Sequence, residues 1–363
     1  TMGIASLFMP AVMGIIADRW IPAQRLLGLC HLFAAGFITL AATRTDYNSL
    51  YTLVLLSVMF YMPTIALSNS VAYNALEKAG LDTVTHFPPI RVWGTVGFIC
   101  AMWVVDLGKM GLSATQLYFS ATLGLILGLY SFTLPNCPIN RSGGGKSIVD
   151  LLGLRAFALF KQRKMAIFFI FSMLLGMSLQ ITNAFADGYI KSFGDTGIHG
   201  AKYLGTFGVE HSTILISLSQ ISETLCILLI PFFLKRFGIK RVMLIAMFAW
   251  VLRFALLGAG NPGPGVWMFI LSMIVYGVAF DFFNISGSLF VEKETSAAIR
   301  SSAQGVFMIM TNGLGALIGS YLAGWVVNHY GWPLSWYLFA GFSLVVAIVF
   351  AVIFKYKHDP NRI

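Results

Sequence analysis

Asp281 stands among Phe280, Phe282 and Phe283 in the run LSMIVYGVAFDFFNISGSLFVEKE, Leu271 to Glu294, which is otherwise apolar enough to cross lipid. On insertion scales an Asp at the centre of a membrane helix costs roughly 3 kcal/mol, so a carboxylate there needs a reason to stay. Other polar side chains recur at helical spacing. Tyr276, Phe280 and Asn284 form an i, i+4, i+8 stripe with Asp281 beside it, and Gln180 with Asn183, like Gln220 with Glu223, lie three residues apart on one face. Arg91, Thr95 and Phe98 follow i, i+4, i+7 on a segment opened by Pro88-Pro89, a fitting first turn. Each is a polar face on a lipid-compatible helix. Such a face must turn to a bundle interior or a wet cavity, because hydrocarbon leaves donors and acceptors unpaired. The chemistry on offer is amides that donate and accept, aromatic faces that cover a flat ring, and carboxylates that accept from hydroxyls or carry a proton. No nucleophile, base or metal constellation accompanies them, which argues against a membrane-embedded enzyme.

These faces have to be positioned by lipid-spanning helices. Of the 363 residues 58% are hydrophobic and 10% charged, against about 25% charged in an average soluble domain. Runs of about 20 apolar residues, each able to cross about 30 Å of hydrocarbon, recur from end to end. Expected spans are 2–18, 25–43, 49–74, 89–107, 114–134, 165–190, 211–234, 241–258, 265–291, 300–328 and 333–354, eleven helices in all. The polar stretch 135–164 divides them into an N-terminal bundle, 1–134, and a C-terminal six-helix bundle, 165–363. Of the 24 lysines and arginines, only Arg44, Lys109, Lys191 and Lys202 fall in one set of alternate loops; Arg253 lies within a span and the rest share the other set. That bias puts the 135–164 linker and the C-terminus in the cytoplasm. The net charge of +10 therefore reads as a topology signal rather than a nucleic-acid surface.

Smaller features have plain readings. Cys30, Cys100, Cys137 and Cys226 are scattered, without a disulfide framework or metal site. RSGGGKS, Arg141 to Ser147, lacks the first glycine of a phosphate loop and any preceding strand, and reads as a linker. His31 reads as a packing imidazole.

An internal repeat supports the division. Tyr61, Asn69, Glu77 and Lys78 recur at one common offset as Tyr276, Asn284, Glu292 and Lys293, and Ile90-Arg91 has its counterpart in Ile299-Arg300. The basic turn ADRWIPAQRLL is echoed by LKRFGIKRVML. Six helices in the second half against five in the first lead to the expectation that a first helix precedes Thr1.

Two parallel halves joined by a cytoplasmic linker resemble the major facilitator superfamily of transporters. GIIADRW resembles the loop motif after that superfamily's second helix, with Trp20 and Ile21 in place of its usual Gly-Arg. FPPIRVWGTVGF, FSMLLGMSLQITN, SLSQISET, MIVYGVAFDFFNISGS and FVEKE are similar, in order and distance, to the nucleoside:proton symporter family of bacterial inner membranes. The resemblance implies an all-α, two-bundle membrane carrier that imports nucleosides by proton symport and alternating access. It implies that Arg91, Thr95, Phe98, Gln180, Asn183, Gln220, Glu223, Tyr276, Phe280 and Asp281 line the nucleoside site; Asn284 is added from spacing alone. The amides suit uracil or purine edges and ribose hydroxyls, and the aromatic rings suit the faces of a base. The proton is the coupling ion, with Asp281 or Glu223 as its carrier, and no other cofactor, protein partner or nucleic acid is expected. A sugar:proton symporter of the same superfamily is the alternative.

Other roles for the same residues stay open at this level. Gln180 and Asn183 could knit helices together, Glu223 could pair with Arg253 or Arg91, and Arg91 could snorkel from a helix end. Arg253 is read as structural.

Overall fold

The computed structural model describes residues 9, 12–13, 16–17, 20–81, 83–111, 113–137, 154–195, 202–295 and 300–356. The span expected at 2–18, the GIIADRW motif, most of the 135–164 linker with RSGGGKS, and the last C-terminal residues lie wholly or largely outside them. Every regular element among the described residues is helical. They are α1 (Ala23–Ala42), α2 (Tyr47–Lys78), α3 (Thr83–Leu107), α4 (Thr115–Ser131), α5 (Arg163–Ser192), α6 (Ser212–Ala259), α7 (Val266–Glu294), α8 (Arg300–Met308), α9 (Ala316–Tyr330) and α10 (Trp332–Ile353). A 3₁₀ turn, Leu154–Lys161, precedes α5, and a π-helical segment, Ile309–Gly315, joins α8 to α9.

Seven of the described helical runs are long and apolar enough to cross a membrane. The spans expected at 211–234 and 241–258 are the two limbs of α6, which break at Gly238, whose φ of 77° is accessible to glycine. α3 has 25 residues and α4 has 17.

The chain divides into two compact units, 1–97 with 108–155, and 98–107 with 156–363. In the first unit α1 packs on α2 and α4. Gly28 and Gly128 face each other there, and a Cβ on Gly28 would lie 2.9 Å from the Gly128 carbonyl oxygen. Small residues allow this backbone approach where hydrocarbon offers no hydrophobic drive. The Gln24 carboxamide donates to Asn136 Oδ1 at 2.6 Å and accepts from the Cys137 amide at 2.9 Å, so it is satisfied at both ends. Asp46 caps α2 by accepting from the Ser49 amide at 2.9 Å, and its bonds with Ser49 hold its carboxyl below the usual carboxylate range.

The second unit is built on α6 and α7, its most extensive pairing, with α5, α9 and α10 around them. Its core is aromatic: Phe168, Phe169, Trp250, Phe254, Phe282, Phe290, Phe307, Trp336 and Phe350 are all at most 2% exposed. The C-terminal end of α3 joins this unit. Asp106 accepts from the Thr213 amide at the start of α6 (3.2 Å) and meets His211 Nδ1 at 2.6 Å, while Trp103 Nε1 donates to Ser217 Oγ at 2.8 Å. The π segment and the start of α9 are locked on α5 by three glycines. A Cβ on Gly176 would lie 2.2 Å from the Thr311 carbonyl oxygen, one on Gly315 2.6 Å from the Met173 carbonyl oxygen, and one on Gly319 2.7 Å from Met177 Cα.

Gly176→Ala should therefore destabilise the second unit by about 1–3 kcal/mol, seen as a lower Tm in detergent. Gly188→Ala on the same helix, where an added Cβ meets nothing within 4 Å, should leave Tm unchanged or raised.

Candidate functional site

The pairing of α6 with α7 explains where Asp281 ends up. Gly277 has no side chain, and α7 closes there onto Ser222, so that an added Cβ would sit 2.6 Å from the Ser222 carbonyl carbon and oxygen. The Ser222 hydroxyl donates to the Ile274 carbonyl, and Ser219 donates to Met273 Sδ at 3.1 Å. One turn further along both helices, Asp281 comes beside Cys226, with Glu223 within electrostatic reach. Asp281 is 3% exposed, and its Oδ2 is buried with no hydrogen-bond partner. Phe282 and Phe283 turn into the core, against Phe233 at 4.9 Å and Phe168 at 6.3 Å between ring centroids. The carboxyl is thus walled in by apolar packing and faces a second carboxyl and a thiol from α6.

Tyr276 is the junction of the site. Its ring stacks on Phe280 at 5.9 Å and meets Trp250 edge-on at 6.0 Å. Asn183 of α5 hydrogen-bonds its side chain, and both Glu223 and Asp281 act on it electrostatically. The structure therefore brings together Asn183, Glu223, Tyr276, Phe280 and Asp281 from three helices. Gln180 and Gln220 are half-buried, each one turn from a member of this group, Asn183 and Glu223 respectively. Asn284 lines a cleft of about 20 Å³ with Phe280, Trp250, Thr311 and Asn312, room for a single water or hydroxyl.

The remaining expected residues fall elsewhere. Thr95 belongs to the first unit and is half-buried, and Phe98, 53% exposed, opens the piece of α3 grouped with the second. The side chain of Arg91 lies outside the described residues. Within the first unit Asn69, the repeat partner of Asn284, also lines a cleft, with Tyr73, Asn74 and Glu77. Trp250, Thr311 and Asn312 escaped the sequence reading. Thr311-Asn312 in an apolar span was the available signal, but an i, i+4 search cannot place residues on a π segment. Among the described residues no His, Cys, Asp and Glu cluster could hold a metal ion.

An amide, a stacked aromatic pair and two close carboxyls can bind a flat, hydrogen-bonding solute and exchange a proton. The family model for the nucleoside H⁺ symporter matches residues 1–359. The chain belongs to the nucleoside H⁺ symporter family. Among its relatives is the nucleoside permease NupG of Escherichia coli (strain K12), 51% identical over 99% of this chain and 86% of that protein. The xanthosine permease of the same organism is 50% identical over 99% of this chain and 87% of its own length. The crystal structure of nucleoside transporter NupG superposes with a TM-score of 0.89 at 51% identity, covering 98% of this chain and 89% of that one. Family membership makes the chain a multi-pass membrane transporter of the major facilitator type rather than an enzyme.

A symporter site has to border water. In a variant with Cys30, Cys100, Cys137 and Cys226 replaced, Asn183→Cys and Gln220→Cys should react with a charged thiol reagent in proteoliposomes. Leu228→Cys, at a position 74% exposed on the apolar surface of α6, should not. Equal labelling of all three would remove the aqueous face.

Proposed function

We propose that this chain imports nucleosides across the bacterial inner membrane by proton symport, alternating access around the polar and aromatic face of α5, α6 and α7. The observation that carries the reading is Asp281, buried in a membrane helix with an unpartnered oxygen beside Glu223. Such an arrangement has no evident value for stability, since an uncompensated polar atom in an apolar setting is costly. It has value for coupling. A proton on Asp281 removes the repulsion between the two carboxyls, the nucleoside completes the hydrogen bonds, and only that protonated, satisfied state passes the dry intermediate of transport.

In this scheme Tyr276 and Phe280 cover the base, and Gln180, Asn183 and Gln220 read its edge and the ribose hydroxyls. Asn284 takes a further polar contact, Phe98 contributes from α3, and Asp281 carries the proton with Glu223 as its partner. The family relationship supports the substrate class. The distribution of lysine and arginine supports a cytoplasmic linker and C-terminus. A potential of 100 mV contributes about 2.3 kcal/mol per charge and one pH unit about 1.4 kcal/mol. One proton thus sustains roughly 500-fold accumulation of a neutral nucleoside.

Proteoliposomes given an inward proton gradient should accumulate labelled uridine or adenosine. Unlabelled nucleosides, xanthosine included, should compete, and free sugars should not. Competition by sugars alone would favour a sugar:proton symporter. Asp281→Asn should bind nucleoside within about threefold of wild type and exchange it across the membrane, yet lose pH-driven accumulation. Wild-type accumulation by that variant would take Asp281 out of coupling.

A further inference from the structure

Arg253, on the second limb of α6, is a permanent cation 1% exposed inside a membrane helix. Among the described residues it forms no ion pair; those present join Lys164 to Glu294, Lys191 to Asp187 and His211 to Asp106. Its partners are of another kind. Nη1 donates to the Ser272 carbonyl of α7 at 2.5 Å, and Nε donates to Thr182 Oγ1 of α5 at 3.3 Å. Both Nη atoms lie 3.7 Å from Met273 Sδ, and the Ser272 hydroxyl returns a bond to the Arg253 carbonyl at 3.1 Å. The guanidinium carbon sits 4.7 Å from the centroid of the Tyr276 ring.

These contacts converge on the candidate site. Thr182 precedes Asn183, the residue hydrogen-bonded to Tyr276, and Ser272 lies one turn before Tyr276 on α7. A planar guanidinium can donate in two directions while presenting its face to a ring, which the point charge of a lysine cannot do at once. Stability alone would be served as well by an apolar side chain of similar volume. From this geometry we infer that Arg253 is a positioning residue for nucleoside binding: it fixes the Tyr276 ring as a wall of the site and holds α5 and α7 at the spacing where Asn183 meets that ring. The inference rests on the transport reading above and adds to it a residue that touches no substrate. Arg253 acts on affinity through Tyr276, whereas the proton is handled by Asp281 and Glu223.

The test is a double-mutant cycle on the full chain in proteoliposomes, reading the KM and kcat of uridine uptake and the pH profile, with Tm in detergent. Arg253→Lys should raise KM about tenfold, the loss of one desolvated cation–π contact, with the pH profile unmoved. In a Tyr276→Ala background the same change should raise KM less than twofold further, because the ring it positions is gone. Tyr276→Phe should keep the full effect of Arg253→Lys. If Arg253→Lys fails to fold, Thr182→Val removes the Nε acceptor alone and should raise KM about threefold at near wild-type Tm. A lowered Tm with unchanged KM, or KM changes that multiply independently in the cycle, would overturn the positioning role. Absence of nucleoside uptake by the wild-type protein would instead overturn the transport reading.

Discussion

Hydrocarbon supplies no hydrogen-bond partners, and the rest of this structure follows from that constraint. Some hydroxyls in the spans return to their own helix, as Ser172 does to the Phe168 carbonyl at 2.8 Å, Ser131 to Leu127 at 2.7 Å and Thr311 to Phe307 at 2.9 Å, and others, such as Ser222 and Ser272, reach a carbonyl on a neighbouring limb. Arg253 finds a carbonyl, a hydroxyl, a thioether and a π face. Against this background the buried atoms left unpartnered are few among the described residues: Asn74 Oδ1, Asp281 Oδ2, Ser286 Oγ and Trp336 Nε1. Asp281 alone of these is ionisable, so it can be relieved by a proton that comes and goes. The residue least favoured by burial is the one most suited to coupling.

Close backbone approach is the second consequence. Without a hydrophobic drive between helices in lipid, association depends on van der Waals fit, and glycine supplies it. Gly277 lets α7 meet Ser222, and that contact sets the register in which Asp281 faces Cys226 and Glu223. Gly176 and Gly315 hold the π segment against α5, and Gly319 does the same for the start of α9. The positions that shape the site are thus partly side chains that are absent.

The aromatic residues divide between two tasks. Phe168, Phe282, Phe283 and Phe307 fill the core behind α7, whereas Tyr276 and Phe280 present stacked rings beside the carboxyls. Phe280 and Phe282, two residues apart, take opposite tasks because two steps along a helix rotate the side chain by about 200°.

What the amino-acid sequence determined by itself is the class of molecule and the inward faces. Asp281, Glu223, Asn183 and Tyr276 are legible because a polar residue in an apolar run is expensive wherever the helices pack, and the helical period alone says which residues share a face. Tertiary structure decided what those faces meet. That Asn183 reaches Tyr276, that Glu223 and Asp281 act on one another, and that Arg253 covers a ring rather than pairing with an acid all depend on contacts between helices distant in sequence. The π segment at Ile309–Gly315 also escaped, since it departs from the regular period on which sequence reading relies. Periodicity reports burial of a face; which neighbour buries it is a property of packing.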